Sequence, residues 1–559
     1  MNTMKHFFNR RENIVTEALD GLLQTAPAGS LARLDTYPDI KVVLRGDWDK
    51  AKVAIISGGG AGHEPSHAGF VGKGMLTAAV SGEIFASPSV DAVLTAIRAV
   101  TGPKGCLLIV KNYTGDRLNF GLAAEKARVE GFRVEMVIVA DDIALPEIPQ
   151  PRGVAGTLFL HKIAGHLAEQ DADLETVASA ARLAARDIVS LGVSLSSCSI
   201  PGQAHVERLE AEEGELGLGI HGEPGAERIA LQEARSIVAT MSERLSRALP
   251  GDGGYVLLIN NLGAVPPIEM GLIAHTVLSS SLAERVKLTI GPAPLMTALN
   301  MNGFSLSLMR LDGEREAALK SPVGPHAWIP AVERHDVSVL PAAAVPATEF
   351  VAASHDPAAD RLIAAICDHL LSLEAELNHL DARAGDGDTG STVATGSRSV
   401  LAHIEKLPLK DIAATLSSIG SILSTSMGGS SGVLLSIFFT AAAKAYSDTK
   451  DIAASLLAGL ERMIFYGGAA VGDRTMVDAL DPALRALKAG GLAAAASAAR
   501  AGADATRAMK KAKAGRASYV GEQDLDGVPD PGAMAVAAVF EVAAGLRYHD
   551  DFGRIDLES

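Results

Sequence analysis

Five short apolar runs in the first 330 residues constrain this chain more than any other feature. Residues 53–56 stop at Ser57-Gly58-Gly59-Gly60, 107–110 at Lys111-Asn112, 136–139 near Asp141-Asp142, 256–259 at Asn260-Asn261, and 288–290 at Gly291-Pro292. Runs of β-branched and aliphatic residues this short, closed by glycine or polar groups, fit strands buried on both faces and are too short for helices. Amphipathic stretches at 118–130 and 174–191 lie between them. That alternation predicts α/β layers. The Glu- and Gly-rich interval 203–225 reads as a seam between two lobes.

The pattern changes after residue 330. Pro341, Pro346 and Pro357 punctuate a stretch with weak helical periodicity, read as a fairly stiff linker over 331–357. From 358 onward, Ala/Leu-rich segments recur at helical spacing: 361–380, 411–425, 433–446, 451–465, 482–488, 493–512 and 533–546. No strand run interrupts them, so residues 358–559 are expected to be all-α. A length of 559 residues is itself too great for one core.

Charge narrows the function classes. Lys and Arg number 50 against 66 Asp and Glu, a net charge of −16. So acidic a surface suits neither nucleic acid nor an anionic membrane face. Aromatic residues make up only 4% of the chain, which argues against base-stacking platforms. The three cysteines, Cys106, Cys198 and Cys367, are far apart with no Cys-x-x-Cys, so neither a disulfide framework nor a thiolate zinc site is expected. The N-terminal residues lack a signal-peptide core, and no run of 18 apolar residues occurs. A cytoplasmic location is expected.

In the helical half, Asp381, Asp386 and Asp388 lie within eight positions, interleaved with glycines. Glycine lets the backbone fold so that the carboxylates converge, and converged carboxylates repel one another unless a hard cation sits among them. Thr389, Gly390, Ser391 and Thr392 follow at an expected helix start, a favourable place for phosphate. A solvated Asp/Gly turn with a helix cap is the competing explanation. Four more segments sit near helix boundaries: Met427-Gly-Gly-Ser-Ser-Gly432, Gly472-Asp-Arg-Thr-Met476, Gly515-Arg516-Ala-Ser-Tyr519 and Asp530-Pro531-Gly532. None is a Walker loop. Together they suggest a Mg²⁺-nucleotide site at one end of a helical bundle.

In the α/β half, Ser57-Gly-Gly-Gly60-Ala-Gly-His63-Glu-Pro65 follows the first strand run and exposes backbone amides beside a histidine. Lys111-Asn-Tyr-Thr-Gly-Asp116 follows the second; Asp116 reads as a general base or, more commonly, a helix N-cap. His221 sits among glycines in Gly219-Ile-His-Gly-Glu-Pro-Gly225, as a base, nucleophile, metal ligand or structural group. No Gly-x-Ser-x-Gly or His-Glu-x-x-His motif occurs, so neither a serine-hydrolase triad nor a zincin is supported.

These motifs, in this order, resemble the dihydroxyacetone kinase family. The three α/β motifs resemble its substrate-binding K domain. The Gly385-Asp-Gly-Asp388, Met427–432 and Gly515–519 motifs resemble its nucleotide-binding L domain. The order K, linker, L resembles the single-chain, ATP-dependent members; members with separate subunits usually carry His where this chain has Thr389. The resemblance implies a K domain over 1–330, a linker over 331–357 and an L domain of eight helices in a barrel over 358–559. It implies ATP-dependent phosphorylation of dihydroxyacetone, with His221 holding the ketone as a covalent hemiaminal. Asp116 would be the general base, His63 an activating partner, and Gly60 and Lys111 further substrate contacts. Asp381, Asp386 and Asp388 would ligate two Mg²⁺ ions. Thr389, Gly390, Ser391, Thr392, Ser430, Ser431, Met476, Arg516, Asp530, Pro531 and Gly532 would line the nucleotide pocket. A homodimer through K domains, with or without swapped L domains, is implied as well. Three alternatives stay open: a kinase for a four-carbon ketose such as erythrulose, a non-catalytic regulator, and a nucleotide cyclase acting on FAD.

Overall fold

The computed structural model describes residues 6–204, 207–251, 253–343, 351–514, 516–521 and 525–546. The chain divides into two compact units, Met1–Leu340 and Pro341–Ser559.

All five apolar runs of the first unit are strands. One sheet of six runs in the order Leu31–Arg33, Lys41–Arg45, Ala78–Ile84, Ala54–Ala61, Cys106–Lys111, Val134–Val139. Its four central and final members, from Ala78–Ile84 onward, are mutually parallel. The second sheet has seven strands in the order Val332–Glu333, Val286–Ala293, Tyr255–Asn261, Gly303–Arg310, Ile188–Ser194, Glu213–Leu216, Glu227–Ala230. Only Tyr255–Asn261 and Val286–Ala293 are parallel there.

Strand alternation sends side chains to two faces, and both faces of the central strands are covered. Ile56, Leu108 and Val110 pack beneath helices Val90–Val100 and Thr114–Val129. Leu257, Ile259, Leu306 and Leu308 pack beneath helices Ala234–Ala248 and Pro267–Leu278. The opposite faces share one core: Ile55, Leu107 and Ile109 of the first sheet join Val256, Leu258, Leu288 and Ile290 of the second around helices Thr157–Glu169 and Leu174–Arg186. Burial on both faces explains why the runs are continuously apolar.

Two expected boundaries move. The helix expected over 174–191 ends at Arg186, and Ile188–Ser194 is a central strand of the second sheet. The interval 203–225 is no seam: within it Glu213–Leu216 pairs with Ile188–Ser194, and the loop beyond carries His221. Part of the expected linker also pairs, Val332–Glu333 lying along Val286–Ala293.

The second unit is helical, with eight helices among its described residues: Pro357–Ser372, Glu374–Ala384, Thr389–His403, Ile412–Ser426, Gly429–Thr449, Ile452–Gly467, Val477–Ala505 and Pro531–Leu546. Aspartate caps recur. The carboxylates of Asp356, Asp411 and Asp451 accept from backbone N–H groups of the first turns that follow. Gly491, at φ 75°, breaks the long helix Val477–Ala505. Neighbouring helices pack in sequence, and Pro531–Leu546 packs on both Val477–Ala505 and Pro357–Ser372, closing the ring.

Candidate functional site

In the first unit, parallel strands Ala54–Ala61 and Cys106–Lys111 end side by side, the place where α/β sheets put ligands. His63 follows the first strand and is fully buried. Its Nδ1 lies 2.8 Å from the Thr297 carbonyl oxygen, which can only accept, so Nδ1 carries the proton. The free nitrogen, Nε2, is buried with no hydrogen-bond partner. Burial pulls the ring well below the usual histidine range, and the nearby charges of His221 and Lys111 add to this. His63 is therefore a neutral imidazole presenting a lone pair.

His221 stands beside it, ring centroids 4.8 Å apart and nearly perpendicular. Tyr113 at 4.3 Å and Phe85 at 5.5 Å complete an aromatic cage. Glu223 holds the histidine from the other side: its carboxylate accepts from the His221 backbone N–H at 2.9 Å and lies 3.5 Å from Nδ1. Burial pushes Glu223 up, but its hydrogen bond to and the charge of His221 bring it net below the ordinary carboxylate value. Glu223 on Nδ1 leaves Nε2 of His221 for chemistry.

Lys111 and Asp116 form the third wall. Both are almost wholly buried. Lys111 Nζ donates to the Gly58 carbonyl at 3.2 Å and sits 2.5 Å from His67 Nε2. Burial lowers Lys111, with Asp116 opposing. Asp116 does not cap its helix; Tyr113 occupies the N-cap of Thr114–Val129, and Asp116 Oδ1 is buried with no partner. Gly59 packs directly against both side chains. A Cβ built there, at φ +151°, would lie 2.6 Å from Lys111 Nζ and 3.4 Å from Asp116 Oδ2. Gly60 turns the other way, and its Cβ would strike the backbone of Phe85 and Ala86. Gly59, which the motif reading did not single out, faces the two charged side chains.

In the second unit, Asp381, Asp386 and Asp388 each bring one carboxylate oxygen within 4.8 Å of the other two. Asp381 Oδ2 accepts from the backbone N–H of Asp388 at 2.9 Å and Thr389 at 3.1 Å. Gly385 leaves room for its second oxygen: a Cβ there would lie 2.6 Å from Asp381 Oδ1. An all-oxygen acidic cluster with two of its members exposed fits a hard divalent cation with open positions. Thr389, Gly390, Ser391 and Thr392 make the first turn of Thr389–His403, tied to the preceding helix where the Ser391 N–H donates to Asn378. Ser430 and Ser431 open the helix Gly429–Thr449.

Met476 precedes Val477–Ala505 and meets Asp530, Pro531 and Gly532 at the start of the last helix; a Cβ on Gly532 would lie 3.3 Å from Met476 Cβ. Burial drives Asp530 up to about 7, with the nearby charges of Asp478 and Asp381 adding and Arg474 opposing. Arg474 is the anomaly here. It is among the largest fully buried side chains, donates from Nη2 to the Val528 carbonyl at 2.8 Å, and leaves Nε and Nη1 without partners. Gly515 lies outside the described residues, and of Arg516 only the backbone, opening the turn Arg516–Tyr519, is described.

The groups that sequence reasoning missed are Glu223 as the partner of His221, the Phe85 wall, Gly59, His67 and Arg474. Glu223 and Arg474 lie inside the motifs already singled out, so a polar side chain two residues from a key group was the available signal. Phe85 carried no signal.

Family models match both units: a Dak1 domain over residues 27–327 and a DAK2 domain over 383–545. The chain is 50% identical to the dihydroxyacetone kinase of Citrobacter freundii over 96% of this chain and 98% of that protein. It is 42% identical to a putative 3,4-dihydroxy-2-butanone kinase of Solanum lycopersicum, over 97% and 98% of the two chains. The crystal structure of the C. freundii enzyme in complex with AMP-PNP and Mg²⁺ matches with a TM-score of 0.75 at 47% identity, covering 97% of this chain and all of that one. With the motifs in order along both units and relatives of this identity over nearly its whole length, the chain belongs to the dihydroxyacetone kinase family.

Proposed function

We propose that this protein transfers the γ-phosphoryl group of ATP to a terminal hydroxyl of dihydroxyacetone. Residues 1–330 bind the ketose, 331–357 link, and 358–559 bind the nucleotide. The observation that carries this reading is His221 set edge-on against His63, whose Nε2 is buried without a partner, as is Oδ1 of Asp116. Such orphaned groups are costly unless a ligand completes them.

His221 Nε2 adds to the ketone carbon. A C–N bond forms, the carbonyl π pair moves to oxygen, which gains a proton, and the imidazole loses one, leaving a neutral hemiaminal. Glu223 on Nδ1 keeps the attacking lone pair on Nε2. The tether fixes a small, weakly bound substrate and rejects glycerol, which has no carbonyl. Lys111 and the backbone at Gly59 and Gly60 hold the hydroxyl end. His63 hydrogen-bonds the bound ketose. Asp116 accepts the hydroxyl proton as that oxygen attacks the γ-phosphorus and the bond to the β-phosphate oxygen breaks.

Asp381, Asp386 and Asp388 would hold Mg²⁺, which when bound neutralises phosphate charge. Thr389, Gly390, Ser391 and Thr392 direct helix-start amides at phosphate. Ser430, Ser431, Met476, Arg516, Asp530, Pro531 and Gly532 line the rest of the nucleotide pocket. The complex with AMP-PNP and Mg²⁺ formed by the C. freundii relative supports this assignment. The working assembly is a cytoplasmic homodimer, for which sedimentation would read twice the chain mass. Among the described residues no helix is long and apolar enough to cross a membrane.

His221→Ala tests the central claim. Its kcat/KM for dihydroxyacetone should fall about 10³-fold or more, since a lost covalent tether forfeits much of the orientation gain. Intact-protein mass spectrometry should lose the ketose adduct. Near-wild-type turnover would sink the covalent role. A four-carbon hydroxyketone is the second reading, favoured by the name of the tomato relative; specificity constants on dihydroxyacetone and erythrulose decide between them.

A further inference from the structure

Beneath the candidate ketose site lies a buried polar group that the proposed chemistry leaves unused. His67 is 4% exposed, and its Nε2 is 2.5 Å from Lys111 Nζ. Its neighbours settle which nitrogen holds the proton. The Ser57 hydroxyl donates to the Ile109 carbonyl at 2.7 Å, so toward His67 Nδ1, at 3.5 Å, the Ser57 oxygen can only accept. Burial, then the charges of Lys111, His161 and His63, keep the ring neutral. The proton is therefore on Nδ1, and the Nε2 lone pair receives a Lys111 N–H.

This accounts for the lysine's donors. An ammonium has three N–H bonds. One goes to the Gly58 carbonyl and one to His67. The third is left for the side of Gly59, where the absent Cβ would lie 2.6 Å from Nζ and 3.4 Å from Asp116 Oδ2. A lysine on a flexible stem would otherwise have several ways to direct its donors.

We propose that His67 is a positioning residue: by accepting one Lys111 N–H it aims the remaining one at the ketose hydroxyl held over Gly59. This rests on the reading that Lys111 binds the ketose, and Lys111→Met tests that reading separately.

The experiment uses the full chain, with dihydroxyacetone varied at saturating Mg·ATP and melting temperatures recorded for every variant. His67→Gln places its amide oxygen where Nε2 was and should keep the ketose KM within about threefold of wild type, a fraction of one hydrogen bond. His67→Asn, whose shorter amide reaches only the Nδ1 position, and His67→Leu, with no acceptor, should raise the ketose KM about tenfold, the scale of one hydrogen bond, with the ATP KM unchanged. If Gln and Asn give equal KM values at matched melting temperatures, the positioning role is overturned. Gln and Asn impose the same amide burden, so their comparison holds even if the Leu variant fails to fold. If Lys111→Met raises the KM while His67→Asn does not, only the His67 proposal falls. A Lys111→Met enzyme with an unchanged ketose KM overturns the underlying reading and the His67 proposal together.

Discussion

The two candidate sites are built on opposite principles. In the first unit His63, Lys111 and Asp116 are at most 1% exposed, locked by strands, a carbonyl from Thr297 and a histidine beneath. In the second unit Asp386 and Asp388 are exposed at a glycine-rich break between helices, while Asp381 is buried and accepts from backbone N–H groups. The chemistry assigned to each explains the difference. Covalent capture of a three-carbon ketose needs side chains fixed to a few tenths of an ångström, and dense packing supplies that. A cluster for Mg²⁺ and phosphates keeps open positions, because the ion and the nucleotide complete it. On the proposed reading, packing sets the first site before substrate arrives, and ion and nucleotide complete the second.

That contrast can be broken experimentally. The largest effect is expected from Asp386→Ala. Turnover should fall about 10³-fold or more, as for loss of a principal electrostatic group, while mass spectrometry still detects the ketose adduct on the first unit. Loss of the adduct as well would mean the two sites are not independent. Gly59→Ala comes next. Its new methyl meets Lys111 Nζ at 2.6 Å at a backbone φ of +151°, so kcat/KM for the ketose should drop about 10²-fold with the ATP KM unmoved. An active Gly59→Ala enzyme with wild-type ketose KM would show that the ketose site is less rigid than described.

Arg474→Met should raise the ATP KM about tenfold, because the guanidinium ties Val528, next to Asp530, to the Met476 segment. The melting temperature should hold or rise, since two buried guanidinium nitrogens without partners are removed. A fall in melting temperature with unchanged ATP KM would make Arg474 purely structural.

The smallest effect concerns acid stability. Burial, then the charge of Lys111, lowers His161 to about 3, and both its ring nitrogens lack partners. Unfolded, it takes up a proton near pH 6.5; folded, it does not until about pH 3. Between those values the unfolded state binds more protons, so stability is lost as pH falls below 6.5, by up to about 1.4 kcal/mol per pH unit for this group. Urea unfolding at pH 7.5 and 5.5 should show a smaller difference for His161→Phe than for wild type. An identical difference would remove His161 as a source.

How much of this was legible differs by region. Each apolar run stopped by Gly or a polar pair became a buried strand, since both facts follow from neighbours in the chain. The stretch 174–191 did not resolve, because no glycine or proline marks the change at Asp187; pairing with Gly303–Arg310 and Glu213–Leu216, both distant in the chain, makes Ile188–Ser194 a strand. Asp116 reads locally as a cap, the commoner role for an aspartate in a first turn. Gly60 stood out over Gly59 although the strand turns Gly59 toward Lys111. A glycine run does not say which member faces the site; strand alternation and the partner helix decide that.

Composition, spacing and motif order determined the two-unit plan, the α/β and all-α classes, the acidic cluster and the residue types available for chemistry. These are properties of near neighbours, where propensity and periodicity operate. The tertiary structure decided which of those groups work together: Thr297 on His63 from 234 positions away, His67 on Lys111 from 44, Val528 on Arg474 from 54. A buried polar group must find its partner wherever packing brings one. Distant segments therefore set the proton positions and the orphaned lone pairs on which the proposed reaction depends.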